Sequence, residues 1–413
     1  MTTLNATNPP IARPPETFTI HRKSIELSTT GVMYGVLMSF MGMAAINSQV
    51  NLLFAIFGMM IGILLVSGII GRASLRKLSI TRTLPEHGTV GAPIMLKYEV
   101  HNNKRFCPSM SLTVAETDGV EAFAVQPQVY VLHAPARASG LASTVVLAKR
   151  RGMHDLNRYQ IAASFPFGFI RRAIEGSTHD SLMVYPAIGK VDPSIMQLCH
   201  GQPGAGSMSN ASFGGADEFY GVREYRPGDN PRRIYWRRSA CTGTLVAREM
   251  THASPPRLLL LVDTYLTDDS LDSRARVERV IAMAASLVEH ALEEGMPVGL
   301  VAWSKYWVSL SAEGGQRHRR NLLSTLALLP TNTANPVQDL LKHSALHERS
   351  PSTALLLTPT RPISGIPDFG RMVVISADST EASSFTFHKA VDFKRCMPLD
   401  KETEANDKLK MSL

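Results

Sequence analysis

The sequence predicts a membrane-anchored chain in three parts: a transmembrane helical hairpin, a β-sandwich-like domain and an α/β domain. Three observations carry this. Two uncharged apolar runs stand close together near the N-terminus. Short segments with alternating apolar residues follow, divided by turn residues, as in antiparallel sheets. Beyond residue 257, continuous apolar runs alternate with helical patterns, as in sheets buried on both faces.

A chain of 413 residues admits two or three domains. Hydrophobic content of 44% is ample for globular cores. The net charge of +8 favours anionic surfaces: acidic lipid headgroups, nucleic acid or acidic proteins. Cys107, Cys199, Cys241 and Cys396 are widely spaced with no CxxC pair. That spacing argues against a zinc site or a disulfide framework and fits a reducing compartment.

Residues 1–30 read as a polar N-terminal tail. Residues 31–46 carry no charge, and after the break Asn47-Ser48-Gln49-Val50-Asn51 a second apolar run fills 52–70. Each is near the ~20 residues that cross a hydrocarbon layer. Both are apolar on all faces, unlike the amphipathic helices of soluble domains. A signal peptide followed by one anchor is the competing reading. It fits poorly, because the polar stretch of about 30 residues before the first run exceeds a usual n-region. Arg22 and Lys23 precede the first run, Arg72, Arg76 and Lys77 follow the second, and none lies between. The positive-inside rule then puts both termini in the cytoplasm of a bacterial inner-membrane protein.

Residues 78–185 form the β-sandwich-like domain. Its strand signals are Leu78-Ser79-Ile80, the run 94–100, Ser111-Leu112-Thr113-Val114, Val129-Tyr130-Val131, Ser143-Thr144-Val145-Val146-Leu147 and Tyr159-Gln160-Ile161. Residues 201–215 are rich in Gly, Ser and Asn and predict a flexible interdomain loop. The α/β domain covers 257–395. It begins with Leu258-Leu259-Leu260-Leu261-Val262, then a helix from about Asp272 that ends at Gly295 and Pro297. Strands at 298–303 and 307–310 come next, then helices near 319–329 and 337–344, then strands at 354–358 and 372–376. Residues 396–413 are a polar tail.

Within residues 201–250, the stretch 214–249 interleaves seven arginines with acids and aromatics. Arginine pairs with carboxylates as a planar fork and stacks on rings. Asn230 and Pro231 predict a helix start, running to about Cys241 and stopping near Gly243. On one helix Arg233 and Arg237 would share a face, beside Trp236. Two readings stand. Arg232, Arg233, Trp236 and Arg237 form a partner-docking face, or the arginines are satisfied internally by Glu218, Glu224 and Glu249. Nearby acids and the lack of a recognised module argue against nucleic-acid binding.

The order Phe219, Arg223-Glu224-Tyr225, Pro227-Gly228-Asp229, Pro231-Arg232-Arg233-Ile234 and Trp236 resembles the signature of a bacterial family called domain of unknown function 58. Tyr235 stands where that family usually has an acid, and Phe165 where it often has Asp. The resemblance extends over most of residues 30–380. It implies a membrane-anchored protein with a von Willebrand factor A-like domain, often encoded beside a MoxR-type AAA+ ATPase. Such A-like domains often hold Mg²⁺ through Asp-x-Ser-x-Ser, small oxygen ligands suited to a hard cation. Here Asp263 is retained and Thr267 could serve, but Tyr265 replaces the first serine. The later loop Thr358-Pro359-Thr360-Arg361 carries no carboxylate. The expectation is a degenerate, empty metal site; a site rebuilt on Asp263, Asp268 and Asp269 is the alternative. His343 and His347 have zinc-like spacing without the glutamate of HExxH.

No nucleophile–base pair or phosphate loop emerges. The expected function is therefore not enzymatic: a membrane scaffold or adaptor working with a MoxR-type AAA+ ATPase in the assembly of a protein complex. The alternatives are a metal-dependent binder or hydrolase using Asp263, and a sensor of anionic lipid or nucleic acid.

Overall fold

The structure, a computed structural model, describes residues 23–200, 218–226, 229–251, 257–266, 268, 270–304, 306–331, 337–347, 353–360 and 372–396. The expected 201–215 loop lies outside them. After β1 (Lys23–Leu27) come two apolar helices, α1 (Thr29–Ser48) and α2 (Asn51–Ser74), each long and apolar enough to cross a membrane. Only 17% and 11% of their most apolar windows is buried, whereas a helix in a soluble core is mostly covered. Gln49 closes α1 with a φ of 53°. The Tyr34 hydroxyl donates to the Met60 carbonyl at 3.0 Å, so the two helices pack side by side.

A β-rich unit follows: β2 (Leu78–Thr83), β3 (His87–Thr89), β4 (Pro93–Asn102), β5 (Ser109–Glu116), β6 (Gln128–Ala134), β7 (Ser139–Leu147), β8 (Gly152–Ala163) and β9 (Ile170–Tyr185). One sheet runs β1-β9-β8-β5-β6 with β3 also on β9; the other is β2-β4-β7. In β4 every second side chain from Ile94 is buried, and these residues meet Leu112, Val114, Leu156 and Ile161 of the facing sheet in one core. Period-two alternation therefore produces two half-buried sheets. Several positions differ from the sequence reading, which had no strand at β3 or at β9, the longest of the unit. Lys23 to Leu27, inside the expected tail, pair antiparallel with Ile170 to Ile174. Five residues are too few for periodicity to register, and the neighbouring strand supplies their hydrogen bonds. Cys396, expected to open the polar tail, is buried in the sandwich core.

Next come β10 (Lys190–Val191), α3 (Pro193–His200), β11 (Glu218–Glu224), α4 (Trp236–Thr242) and β12 (Val246–Thr251). The α/β unit comprises β13 (Leu258–Val262), α5 (Leu271–Glu293), β14 (Val298–Trp303), β15 (Trp307–Glu313), α6 (Gln316–Leu328), α7 (Val337–His347), β16 (Thr353–Thr358), β17 (Met372–Ser376) and β18 (Phe385–Thr386). Its sheet has the order β15-β14-β13-β16-β17, parallel except for the β15 edge. All five residues of β13 are buried. Leu258, Leu260 and Val262 face the core with α5 and α6, while Leu259 and Leu261 face the one with Leu340 and Leu341 of α7. A strand covered on both sides has no polar face, which is why it reads as an unbroken apolar run.

Candidate partner-binding site

The arginine-rich segment folds onto the antiparallel pair β11–β12. Asn230 Oδ1 accepts from the Arg232 amide at 3.1 Å, and Pro231 occupies the first position of a short 3₁₀ turn ending at Arg233. The chain then leaves helical geometry. Ile234 bridges to Ala247, and the Tyr235 amide donates to the Val246 carbonyl at 2.7 Å. Only at Trp236 does α4 begin, stopping at Gly243 with φ 71°. The predicted cap and stop are present, but the predicted single helix is two pieces. Hydrogen bonding to β12 offered the backbone at 234–235 a better partner than helix continuation. Arg233 and Arg237 consequently do not share one helical face.

Part of the weave is internal. Arg223 grips Asp229 bidentately at 2.8 and 2.7 Å, and the Arg226 amide donates to the same carboxylate at 2.9 Å. The Arg223 fork, then that amide, hold the Asp229 carboxyl below the usual carboxylate range. The Tyr225 hydroxyl donates to the Asp229 carbonyl at 3.1 Å. Arg248 sits 4.4 Å over the Tyr235 ring, so Tyr235 holds a guanidinium by cation–π attraction. The side chains of Glu218 and Glu249 lie outside the described residues.

The remainder faces solvent. Trp236 is 65% exposed. Arg232, Arg237 and Arg238 around it are exposed, and Arg233 is half-buried. Among the described residues none of these four arginines is in an ion pair. The fold thus sorts the segment into a tied-down base of Arg223, Asp229, Tyr235 and Arg248, and a projecting rim of Trp236 and arginines.

Asp263 ends β13 and is 6% exposed. Its Oδ1 accepts from the Tyr265 amide at 2.9 Å and its Oδ2 from the Thr358 hydroxyl at 2.9 Å. Thr358 also donates to the Thr360 carbonyl at 2.8 Å, so one proton serves two acceptors. Burial pushes the carboxyl up to about 6, against the pull of both hydrogen bonds. Thr267 and Asp269 lie outside the described residues, as does Arg361. Asp268 is exposed. His343 and His347 are both on α7, with side chains outside the described residues. Among the described residues, no group of three or more His, Cys, Asp or Glu could hold a metal ion.

Two buried charge clusters escaped the sequence reading. In the sandwich, Arg82 donates to Glu116 at 2.7 Å, to Asp180 at 2.8 Å, to Thr178 at 2.7 Å and to the Leu156 carbonyl. Tyr98 donates to the other Glu116 oxygen at 2.8 Å. Between the sandwich and α5, Arg151 pairs with Glu278, both buried. The available signal was a charge inside an otherwise strand-like or helical apolar pattern.

Residues 221–354 match the family model described as Protein of unknown function DUF58. The chain is also similar to "Uncharacterized protein YeaD" from Bacillus subtilis (strain 168), with 24% identity over 187 residues. That match spans 45% of this chain and 45% of the relative, so under half of the relative's length is covered. The matched region 221–354 holds most of the arginine-rich segment together with β13, β14 and β15, and over these residues the chain is similar to the family of proteins of unknown function DUF58.

Proposed function

We propose that the protein is an inner-membrane adaptor whose Arg232, Arg233, Trp236 and Arg237 face docks an acidic surface of a partner protein. The carrying observation is a Trp236 left 65% exposed beside the Arg223–Asp229 pair and ringed by arginines. Tryptophan and arginine are the side chains most enriched at binding hot spots. The two apolar helices, with Lys and Arg only at their outer ends, support an inner-membrane anchor with both termini cytoplasmic. The sheet order β15-β14-β13-β16-β17 with one antiparallel edge supports a von Willebrand factor A-like reading of the α/β unit. The partner class we favour is a MoxR-type AAA+ ATPase, engaged in assembly or maturation of a protein complex. Hydrolysis at Asp263 is less favoured, since both carboxylate oxygens are already engaged by protein donors.

The test is affinity between full-length protein in nanodiscs and the MoxR-type ATPase of the same bacterium. Trp236→Ala should weaken binding by about 2 kcal/mol, or about 30-fold in Kd. Its melting temperature should hold, as exposed positions normally shift stability by under ~0.5 kcal/mol. Arg237→Glu should slow association and reduce its salt dependence. An unchanged Kd in both variants, or a large loss of melting temperature, would remove the docking role.

A further inference from the structure

The membrane-facing end of the β-rich unit carries a second surface. At the C-terminus of α2, Lys104 Nζ donates to the Ala73 carbonyl at 3.0 Å and the Ser74 carbonyl at 2.9 Å, and contacts Ser109 Oγ at 2.6 Å. These are carbonyls of the last helical turn, at the negative pole of its dipole, and the Ser109 hydroxyl also donates to the Ser74 carbonyl at 2.8 Å. Lys104 is buried, as is Asn102 beside it. Asn102 accepts from the Lys104 amide at 3.1 Å and donates to the Cys107 carbonyl at 3.0 Å and the Ala134 carbonyl at 2.9 Å. The Asn103 amide donates to the Lys77 carbonyl at 3.0 Å. Residues 103–108 are thus clamped to the end of an apolar helix.

On that clamped loop Phe106 is 82% exposed, the most exposed large apolar side chain among the described residues. Arg105 stands 5.5 Å over its ring. A second loop reaches the same level. The Ser28 amide, at the start of α1, donates to the Phe169 carbonyl at 3.1 Å, and Tyr34 stacks on Phe169 at 4.2 Å. Phe167 stacks on Phe169 at 5.6 Å and is itself exposed, as is Leu27. Arg72, Arg76, Lys77 and Arg171 are exposed around the same ends. Glu26 is the acid in this ring, opposite Arg171 in the strand register. The surface continues the apolar sides of α1 and α2 outward into a band of phenylalanine, leucine and cations. Such a band matches the boundary where acyl chains meet phosphate headgroups.

We propose that the 103–108 loop and Phe167 form a collar that seats the β-rich unit on an anionic phospholipid surface, with Phe106 and Phe167 at the headgroup–acyl boundary and Arg105 and Arg76 on lipid phosphates. The proposal rests on reading α1 and α2 as membrane spans. Its consequence is orientation: the β-rich unit stands fixed against the bilayer rather than swinging on a linker.

The test uses full-length protein in vesicles of phosphatidylcholine and phosphatidylglycerol carrying acyl chains brominated near the headgroup. Phe106→Trp adds an indole to a background of Trp236, Trp303 and Trp307. Most of the added emission should be quenched and blue-shifted, and Arg105→Glu in the same variant should restore it. Leu37→Trp, on the exposed side of α1, reports spanning independently. If the Leu37→Trp emission is quenched while that of Phe106→Trp is not, the collar falls and the membrane anchor stands. If neither is quenched, the anchor itself falls and takes the collar with it. Equal quenching in pure phosphatidylcholine would overturn the assignment to anionic lipid.

Discussion

Asp263 shows how a single side chain's surroundings set its chemistry. Burial raises its carboxyl from an ordinary 3.8 to about 6. The folded chain therefore binds the proton more tightly than the unfolded chain between those values. Stability from this group is fully present below the lower value and is lost as pH rises through the upper one. Asparagine cannot ionise, yet its Oδ1 can still accept from the Tyr265 amide. Asp263→Asn should thus gain stability over the native chain as pH rises through that window. Each tenfold change in proton affinity is worth about 1.4 kcal/mol, so the gain is on the order of 3 kcal/mol. Denaturant unfolding of the detergent-solubilised protein across the window measures it, and a difference that does not change with pH would contradict the burial argument. Asp263 itself was singled out in the sequence through the resemblance to A-like domains, as the acid of an Asp-x-Ser-x-Ser cluster. The hydrogen bond it accepts from Thr358 was not legible there, because Thr358 arrives from a strand 95 residues later.

At the scale of elements, periodicity located β2, β4 to β8, β13 to β17 and most helices but missed β9, the longest strand, and the β11–β12 pair, and tertiary hydrogen bonding decided where one helix broke. Arg232 to Thr242 has a good cap and a good stop, yet Ile234 and Tyr235 pair with β12 instead. The contact of α1 with the β-rich unit depends on a missing side chain. A Cβ at Gly31 would lie 2.2 Å from the Phe169 carbonyl oxygen, whereas one at Gly35 would have nothing within 4 Å. Gly31→Ala should cost about 1–3 kcal/mol through overpacking against backbone. Gly35→Ala should be neutral or slightly stabilising, since alanine favours helix. Thermal melts of the two variants in detergent decide this; equal melting temperatures would mean that α1 does not seat on the Phe169 loop.

For the whole molecule, the β-rich and α/β units are joined through a buried ion pair. Arg151 leads into β8 and pairs with Glu278 of α5. Its Nη2 also donates to the Leu329 carbonyl at 2.5 Å, and its amide donates to the Cys396 carbonyl at 3.1 Å. Burial pushes the Glu278 carboxyl up, and Arg151 pulls it back. Arg151→Met would leave that carboxyl buried and unpaired, a loss of about 3–5 kcal/mol. The double variant Arg151→Met with Glu278→Leu should recover most of this, because apolar pairs often replace buried ion pairs without loss. Calorimetry should show the single variant's transition lowered or split between the two units, and the double variant's restored. A single variant that melts like the native chain would show that the pair does not couple them.

The sequence by itself determined the two apolar helices, most of the alternating strands, the βα succession and the ordered motif within residues 221–354 that the family model matches, because each is written in neighbouring residues as period, composition or ordered motif. Tertiary structure decided what those residues meet: Arg223 on Asp229, Arg248 on Tyr235, Arg151 on Glu278, and Lys104 on the end of α2. It also decided what is left over, Trp236 and Phe106 in solvent. Exposure and charge pairing depend on distance in space. A linear pattern carries little of that, since whether a guanidinium is buried against a carboxylate or free for a partner depends on which distant segment folds beside it.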